Sequence, residues 1–270
     1  MRKYGITGHT GLIGKNFINS KKIKFIKFKG NILKKNDIRK WIIKNPKIDG
    51  IIHLAGIVPI YKVNHNFSNA KKINFYGTKF LVDEIIKSKI NLKWFFFSSS
   101  AHVYQIKNKK IKITEKSKLQ PFTKYGLTKL LAEKYIISKF NKAKIPFCIG
   151  RIFNILHIKQ PKGFFYSDII SKVKNNDKKI ITFNNLNHYR DFLSPSAVSK
   201  FIILLLKRNA SGIFNIGSGK ATNLEELVKI ICKKYNKKFK IKQTNKYSYL
   251  IADVKKLLTA TLYKKYKKID

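Results

Sequence analysis

The chain has 270 residues and carries 59 Lys and Arg against 13 Asp and Glu, a formal net charge of +46. Its apolar share of 44% and aromatic share of 13% supply a sizeable core and exclude a chain disordered throughout. Only five of the cations are arginines (Arg2, Arg39, Arg151, Arg190 and Arg208), leaving 54 lysines, whereas nucleic-acid interfaces favour the arginine fork.

The lysine excess therefore reads as compositional drift at exposed positions, with a polyanion-binding protein as the competing reading. The length suits one large domain or two small ones. No apolar run approaches the ~20 residues of a membrane span. Met1-Arg2-Lys3-Tyr4-Gly5 leads directly into a strand, with no signal-peptide apolar region. Cys148 and Cys232 are too few and too far apart for a disulfide framework or a Cys-rich zinc site, and no metal site is expected. A reducing, cytoplasmic setting follows as the default.

Short apolar runs alternate with amphipathic stretches through the first 150 residues, the pattern of an α/β parallel sheet wrapped by helices. Lys3–Thr7 predicts the first strand. Thr7-Gly8-His9-Thr10-Gly11-Leu12-Ile13-Gly14 follows it and opens a helix near Gly11–Ser20. Gly8 permits a tight turn, Gly11 lets backbone approach a pyrophosphate, and Gly14 allows close helix–strand packing. A strand before such a loop and a helix after it point to a dinucleotide site. Next come a strand at Lys24–Phe28, a helix at Asp37–Lys44, a strand at Gly50–Leu54 and a long helix at Asn69–Lys89. A strand at Leu92–Ser98, a helix at Thr123–Asn141 and a strand at Pro146–Arg151 complete the series. Lys107–Lys112 and Lys233–Lys240 read as loops or solvated faces.

Tyr-x-x-x-Lys occurs three times, at Tyr125/Lys129, Tyr135/Lys139 and Tyr263/Lys267, about as often as chance allows among so many lysines. Context selects Tyr125-Gly126-Leu127-Thr128-Lys129, 25 residues beyond Ser100 in Ser98-Ser99-Ser100-Ala101-His102-Val103-Tyr104. The glycine spacing, the serine-rich strand end and this pair together resemble the extended short-chain dehydrogenases/reductases, the NAD-dependent epimerase/dehydratase family. The likeness extends to His53-Leu54-Ala55-Gly56, Asn74-Phe75-Tyr76-Gly77-Thr78, Arg151-Ile152-Phe153-Asn154, Arg190-Asp191-Phe192-Leu193 and Phe214-Asn215-Ile216-Gly217-Ser218-Gly219. It covers residues 3 to about 258.

The resemblance implies a Rossmann-type doubly wound sheet at residues 1–150, holding the dinucleotide and the catalytic groups. Residues 151–270 are then mainly substrate-binding, with some segments returning to the sheet. It implies Ser100, Tyr125 and Lys129 as catalytic residues, with Tyr125 as general base, its phenol pKa lowered by Lys129 and the nicotinamide ring. Gly8, His9, Thr10, Gly11, Leu12, Ile13, Gly14, Asn31, Ile32, Leu54, Ala55, Gly56, Asn74, Ser98, Tyr125 and Lys129 would contact the cofactor. Ser100, Tyr125, Asn154 and Arg190 would contact the substrate. Lys27 and Lys29 could accommodate a 2′-phosphate, so NAD and NADP both stay open.

In the 4,6-dehydratases of the family the strand-end serine is followed by Thr-Asp-Glu, an acid/base pair that eliminates water; here the positions read Ser100-Ala101-His102. No Cys stands near Ser100, unlike the fucose-synthase type. The motif is most similar to sugar-nucleotide 4-epimerases, with 4-ketoreductases as the alternative. A nucleotide sugar is the implied partner, together with homodimerisation through the Asn69–Lys89 and Thr123–Asn141 helices. With Ser100, Tyr125 and Lys129 present together, nucleic acid is not an expected partner.

Overall fold

The computed structural model describes residues 2–17, 23–106, 108–158, 160–176, 180–242 and 247–263. The N-terminal elements run β1 (Lys3–Thr7), β2 (Lys24–Lys27), α1 (Lys35–Ile43), β3 (Gly50–His53), α2 (Ile60–His65) and α3 (Phe67–Lys71). They continue through α4 (Gly77–Lys87), β4 (Trp94–Ser100), α5 (Lys124–Ala143) and β5 (Phe147–Ile152). The remainder is β6 (Asn154–Ile155), α6 (Phe165–Lys174), β7 (Ile180–Asn184), β8 (His188–Arg190), β9 (Phe192–Leu193) and α7 (Pro195–Lys207). β10 (Gly212–Ile216), β11 (Thr222–Asn223), α8 (Leu224–Lys234), β12 (Lys238–Lys242), β13 (Ser248–Leu250) and α9 (Lys255–Thr261) follow.

Six strands form one sheet in the order β10-β5-β4-β3-β1-β2, every neighbouring pair parallel. This is a Rossmann-type α/β fold. The chain steps outward from β1 to β2, then crosses to β3 on the other side, so the switch point lies between β1 and β3. In such sheets ligands bind in the crevice at the carboxyl ends of the strands flanking that point. The glycine loop leaves β1 there, and Leu54-Ala55-Gly56 leaves β3 beside it.

Period-two alternation decides which face each residue joins. On β4, Phe95 and Phe97 pack with Ile38, Trp41, Leu81, Ile85, Ile136 and Phe140 of α1, α4 and α5. Trp94 and Phe96 point the other way, toward Phe201, Ile202 and Leu205 of α7 and Leu257 of α9. All seven residues of β4 are buried, as a central parallel strand covered on both faces requires. Beyond β5 the chain builds a smaller core, with Ile169 and Val173 of α6 against Phe183, Val228 and Ile231. β10 meanwhile returns to the edge of the main sheet.

Two expected helices differ. The segment over Asn69–Lys89 is α3 and α4 joined by a π-turn at Lys72–Tyr76. That turn carries Asn74, whose side chain is held by the backbone of Ile57; wide turns of this kind are frequent where a helix aims a side chain at a site. In place of a helix from Gly11, the described residues show a 3₁₀ turn at Gly14–Asn16. The last part of that expected helix, residues 18–20, lies outside the described residues.

Candidate active site

The glycine loop is close-packed backbone. Gly8 has φ +68°, and a Cβ there would stand 2.6 Å from the Ala55 nitrogen. A Cβ on Gly14 would run into the Gly8 carbonyl and stand 2.7 Å from the His9 Cα. The amide of Gly11 donates to Gly8 O at 3.1 Å, closing the turn, while Thr10 and Gly11 stay exposed. Ile13 instead packs against the main core, and Leu12 lends its carbonyl to Asn16. His9 holds a buried Nδ1 with no hydrogen-bond partner among the described residues. Its pKa is lowered by burial and by the nearby charges of Lys27 and Lys29.

A buried hydrogen-bond chain ties this loop to Asn74. Thr7 Oγ1 lies 2.6 Å from His53 Nδ1, and His53 Nε2 lies 2.9 Å from Thr78 Oγ1. Thr78 donates onward to Asn74 O at 2.8 Å, so its oxygen accepts from His53 Nε2–H. Nδ1 is then the acceptor for Thr7, whose oxygen receives the Ala55 amide at 3.3 Å. Burial and the Lys129 charge push the His53 pKa down to about 3, so the ring is neutral. Asn74 completes the link: Oδ1 accepts from Ile57 N at 2.7 Å, and Nδ2 donates to Ile57 O at 3.0 Å and Thr128 Oγ1 at 3.1 Å.

Tyr125 and Lys129 enter from the first turns of α5. Thr123 caps that helix through Gly126 N at 2.9 Å, and Gly126 itself is obligatory, since a Cβ would run into the His102 carbonyl. The helix thereby presses directly on the end of β4, bringing together Ser100, Tyr125 and Lys129. Lys129 is 2% exposed and donates to Ser98 O at 2.8 Å. Its Nζ sits 4.9 Å from the Phe97 ring centroid and 5.9 Å from that of Tyr125. Burial draws its pKa down to about 8, with Glu133 pulling the other way. Burial raises the Tyr125 phenol, and the Ser100 hydroxyl, as a hydrogen-bond donor, opposes this. The Lys129 ammonium is meanwhile bonded to the Ser98 carbonyl.

The other Tyr-x-x-x-Lys pairs stand elsewhere. Tyr135 bonds Asp83 Oδ1 at 2.5 Å on the α4–α5 surface, under Lys79 and Lys139. Tyr263 packs on Phe201 beneath Lys200, and Lys267 lies outside the described residues.

Several of the residues singled out in the sequence have partners within the protein. Arg151, 1% exposed, turns its fork on the Glu133 carboxylate at 2.7 Å and also reaches Tyr104 Oη at 3.0 Å, so its partners are inside the protein. Ser99 bonds the same Glu133 carboxylate. Ile32 is 9% exposed and packs against Gly77 within the core between α1 and α4. Asn31 folds onto its own turn, accepting from Leu33 N at 2.9 Å, while Asp37 receives the Asn31 amide at 2.8 Å. Asn154 is half-buried, its Nδ2 donating to Asp191 O at 3.3 Å. Sequence reasoning missed His53 and Glu133 as organisers; Glu133 was discoverable as a scarce acid two turns beyond Tyr125 on the same helical face.

Arg190 donates to Ser248 Oγ at 2.9 Å and to Tyr189 O at 2.8 Å. No carboxylate pairs with it among the described residues, and burial draws its pKa down to about 10. A half-buried guanidinium with only neutral partners is suited to an anion. The neighbouring Asp191 is turned away, receiving Ser218 N, Gly219 N and Ala252 N at 2.6, 2.8 and 3.1 Å.

The glycine cradle, the orphaned His9 nitrogen beside two lysines and the Ser–Tyr–Lys cluster at one strand end all fit a dinucleotide site. The family model for GDP-mannose 4,6 dehydratase matches residues 6–268. The chain belongs to this family. It is thus an extended short-chain dehydrogenase/reductase of the epimerase/dehydratase group. It is 31% identical over 225 residues to dTDP-D-glucose 4,6-dehydratase of Dictyostelium discoideum, covering 78% of this chain and 50% of that protein. It is 32% identical over 187 residues to a putative UDP-glucose 4-epimerase of Methanocaldococcus jannaschii, covering 68% of this chain and 60% of that one. The chain therefore spans half to three-fifths of the length of these relatives. Among solved structures, RMD from Pseudomonas aeruginosa complexed with NADPH superposes with TM-score 0.85 at 20% identity, covering 98% of this chain and 94% of that one. UDP-glucose 4-epimerase of Thermus thermophilus in complex with NAD gives 0.80 at 14%, with 95% and 92% covered. No helix among the described residues is long and apolar enough to cross a membrane.

Proposed function

We propose that this family member is an NAD(P)-dependent epimerase that exchanges hydride and proton at C4 of a nucleotide-linked hexose. The observation that carries this reading is the convergence of Ser100, Tyr125 and Lys129 at the end of β4, two strands along the same sheet edge from the glycine loop after β1. Tyr125 takes the O4 proton as the C4–H bond breaks and returns it when the sugar is reduced from its other face. Ser100 hydrogen-bonds O4 and lines it up with the phenol. When bound, the dinucleotide supplies the hydride acceptor and, oxidised, a positive ring that favours the phenolate. The backbone around Gly8 and Gly11 would hold its pyrophosphate, with Gly14 packing the loop behind them; Ala55, Gly56, Asn74 and Lys129 would line its nicotinamide end. Arg190 holds the substrate diphosphate, beside Asn154, within the substrate-binding part that follows β5. Self-association is assigned to the Asn69–Lys89 segment and α5, where Tyr76 of the π-turn and Leu127 of α5 are exposed.

Dehydration is not the assigned reaction, because no carboxylate follows Ser100. Ala101 and His102 stand there, and Glu133, the carboxylate bonded to Ser99, is paired with Arg151. A second reading, reduction of a 4-keto sugar by NADPH, is favoured by Lys27 and Lys29 beside His9, their ammonium charges suiting a 2′-phosphate. Mass spectrometry of the purified protein separates the two: tightly held NAD supports the epimerase, exchangeable NADPH the reductase. Tyr125→Phe should abolish turnover of nucleotide sugars and leave dinucleotide affinity nearly intact; undiminished activity refutes the assignment.

A further inference from the structure

His102 stands where the loop after β4 meets the start of α5, beside both groups assigned to the C4 oxygen. Its backbone amide donates to Ser100 Oγ at 3.2 Å, and its ring lies edge-on to Tyr125 with centroids 5.9 Å apart. The ring plane is fixed from the other side by stacking on Phe122, at 4.8 Å and 25°. Phe122 is itself 43% exposed, an apolar side chain kept at the surface over an imidazole.

The capping bond suits the tautomer protonated at Nε2. Thr123 Oγ1 already accepts the Gly126 amide, so its hydrogen is free to be donated to His102 Nδ1, 3.3 Å away. With the hydroxyl donating, Nδ1 is the acceptor and Nε2 carries the proton. Among the described residues no partner is bonded to Nε2, and it is not cut off from solvent. The His102 carbonyl is packed against Gly126, so the loop and the start of α5 are in direct contact.

We infer that His102 is a further catalytic residue, whose Nε2–H donates a hydrogen bond to a hexose hydroxyl adjoining the reacting C4. This rests on the C4 reading proposed above. Burial and the charge of Arg190 lower the His102 pKa to about 4, so only about one molecule in a thousand is protonated at pH 7. The ring is thus a neutral donor, available throughout turnover. A neutral ring does not supply a proton to the reacting oxygen in place of Tyr125, as an imidazolium would. A neutral imidazole in this role polarises an oxygen without transferring a proton.

The test uses the full chain with its dinucleotide and UDP-glucose, alongside UDP-glucose analogues deoxygenated at C3 and at C6. His102→Phe keeps the stack on Phe122 and removes both nitrogens; His102→Gln restores an N–H donor. We expect His102→Phe to lower kcat about 10- to 100-fold, with KM and dinucleotide affinity moving less than about threefold. His102→Gln should recover most of the loss. One deoxy analogue should cost wild type the same factor and cost His102→Phe nothing further. Equal sensitivity of wild type and His102→Phe to both analogues overturns the role, as does a parallel loss of dinucleotide affinity and kcat. Wild-type protein that binds dinucleotide but turns over none of these sugars refutes the C4 reading itself, and the His102 role falls with it.

Discussion

Lys129 offers a direct measure of how far the site's chemistry opposes the fold. Its ammonium is buried, and its pKa falls from 10.5 to about 8. At ~1.4 kcal/mol per unit this shift destabilises the folded state by about 3 kcal/mol at pH 7. Lys129→Met removes the charge and keeps most of the alkyl stem over Phe97, but loses the bond to Ser98 O, about 1 kcal/mol. The variant should therefore be more stable than wild type by about 2 kcal/mol at pH 7, while losing turnover. The sign of the pH dependence follows from proton counts. Between pH 8 and 10.5 the unfolded chain binds more protons at this lysine than the folded chain does, so wild-type stability rises with pH across that window. The methionine has no such term, so its advantage should shrink to near zero by about pH 10. Urea titrations of both proteins at pH 7 and pH 10 read this difference, and the titration of the exposed lysines cancels between them. A Lys129→Met protein less stable than wild type at pH 7, or a gap that does not change with pH, would refute the reasoning.

The buried Arg151–Glu133 pair should behave in the opposite way. Glu133→Gln or Arg151→Met leaves one buried charge uncompensated and should cost about 3–5 kcal/mol in urea unfolding. The double variant should lose clearly less than the sum, and additive losses would show the two groups to be uncoupled. Gly8→Ala combines a positive φ with contact against the Leu54–Ala55 backbone. It should weaken dinucleotide binding more than about tenfold by calorimetry, with far-UV circular dichroism retained; unchanged affinity would place the pyrophosphate elsewhere.

Much of the frame was legible because it rests on local rules. The β1 boundaries agree, since a short apolar strand ending at a glycine turn has little freedom. The long helix after Thr123 was readable for the same reason, as a capping threonine precedes its periodic pattern. What escaped was set by distant contacts. The π-turn at Asn74 depends on the backbone of Ile57, which no local propensity encodes. The packing of Ile32 against Gly77 at the start of α4 is likewise a contact between distant segments.

The arginines show why residue type alone cannot assign a role. Arg151 and Arg190 both stand out as arginines kept in a chain that otherwise uses lysine, and both carry forks suited to an oxyanion. In Arg151 that fork closes on Glu133, because β5 and α5 bring the two side chains together in the interior. In Arg190 the fork meets a serine hydroxyl and a carbonyl, so its charge is uncompensated at a half-buried position. The same contrast separates Lys129 from the other lysines. Tyr125/Lys129 and Tyr135/Lys139 share one helix and one spacing, but only the first faces the end of β4. There burial displaces both pKa values, the phenol upward and the amine downward. On the α4–α5 surface Lys139 is exposed, and its partner Tyr135 is bonded to Asp83. What distinguishes the candidate pair is thus the environment that the sheet creates. A net charge of +46 spread over the surface leaves that environment intact, because the groups that define it are buried.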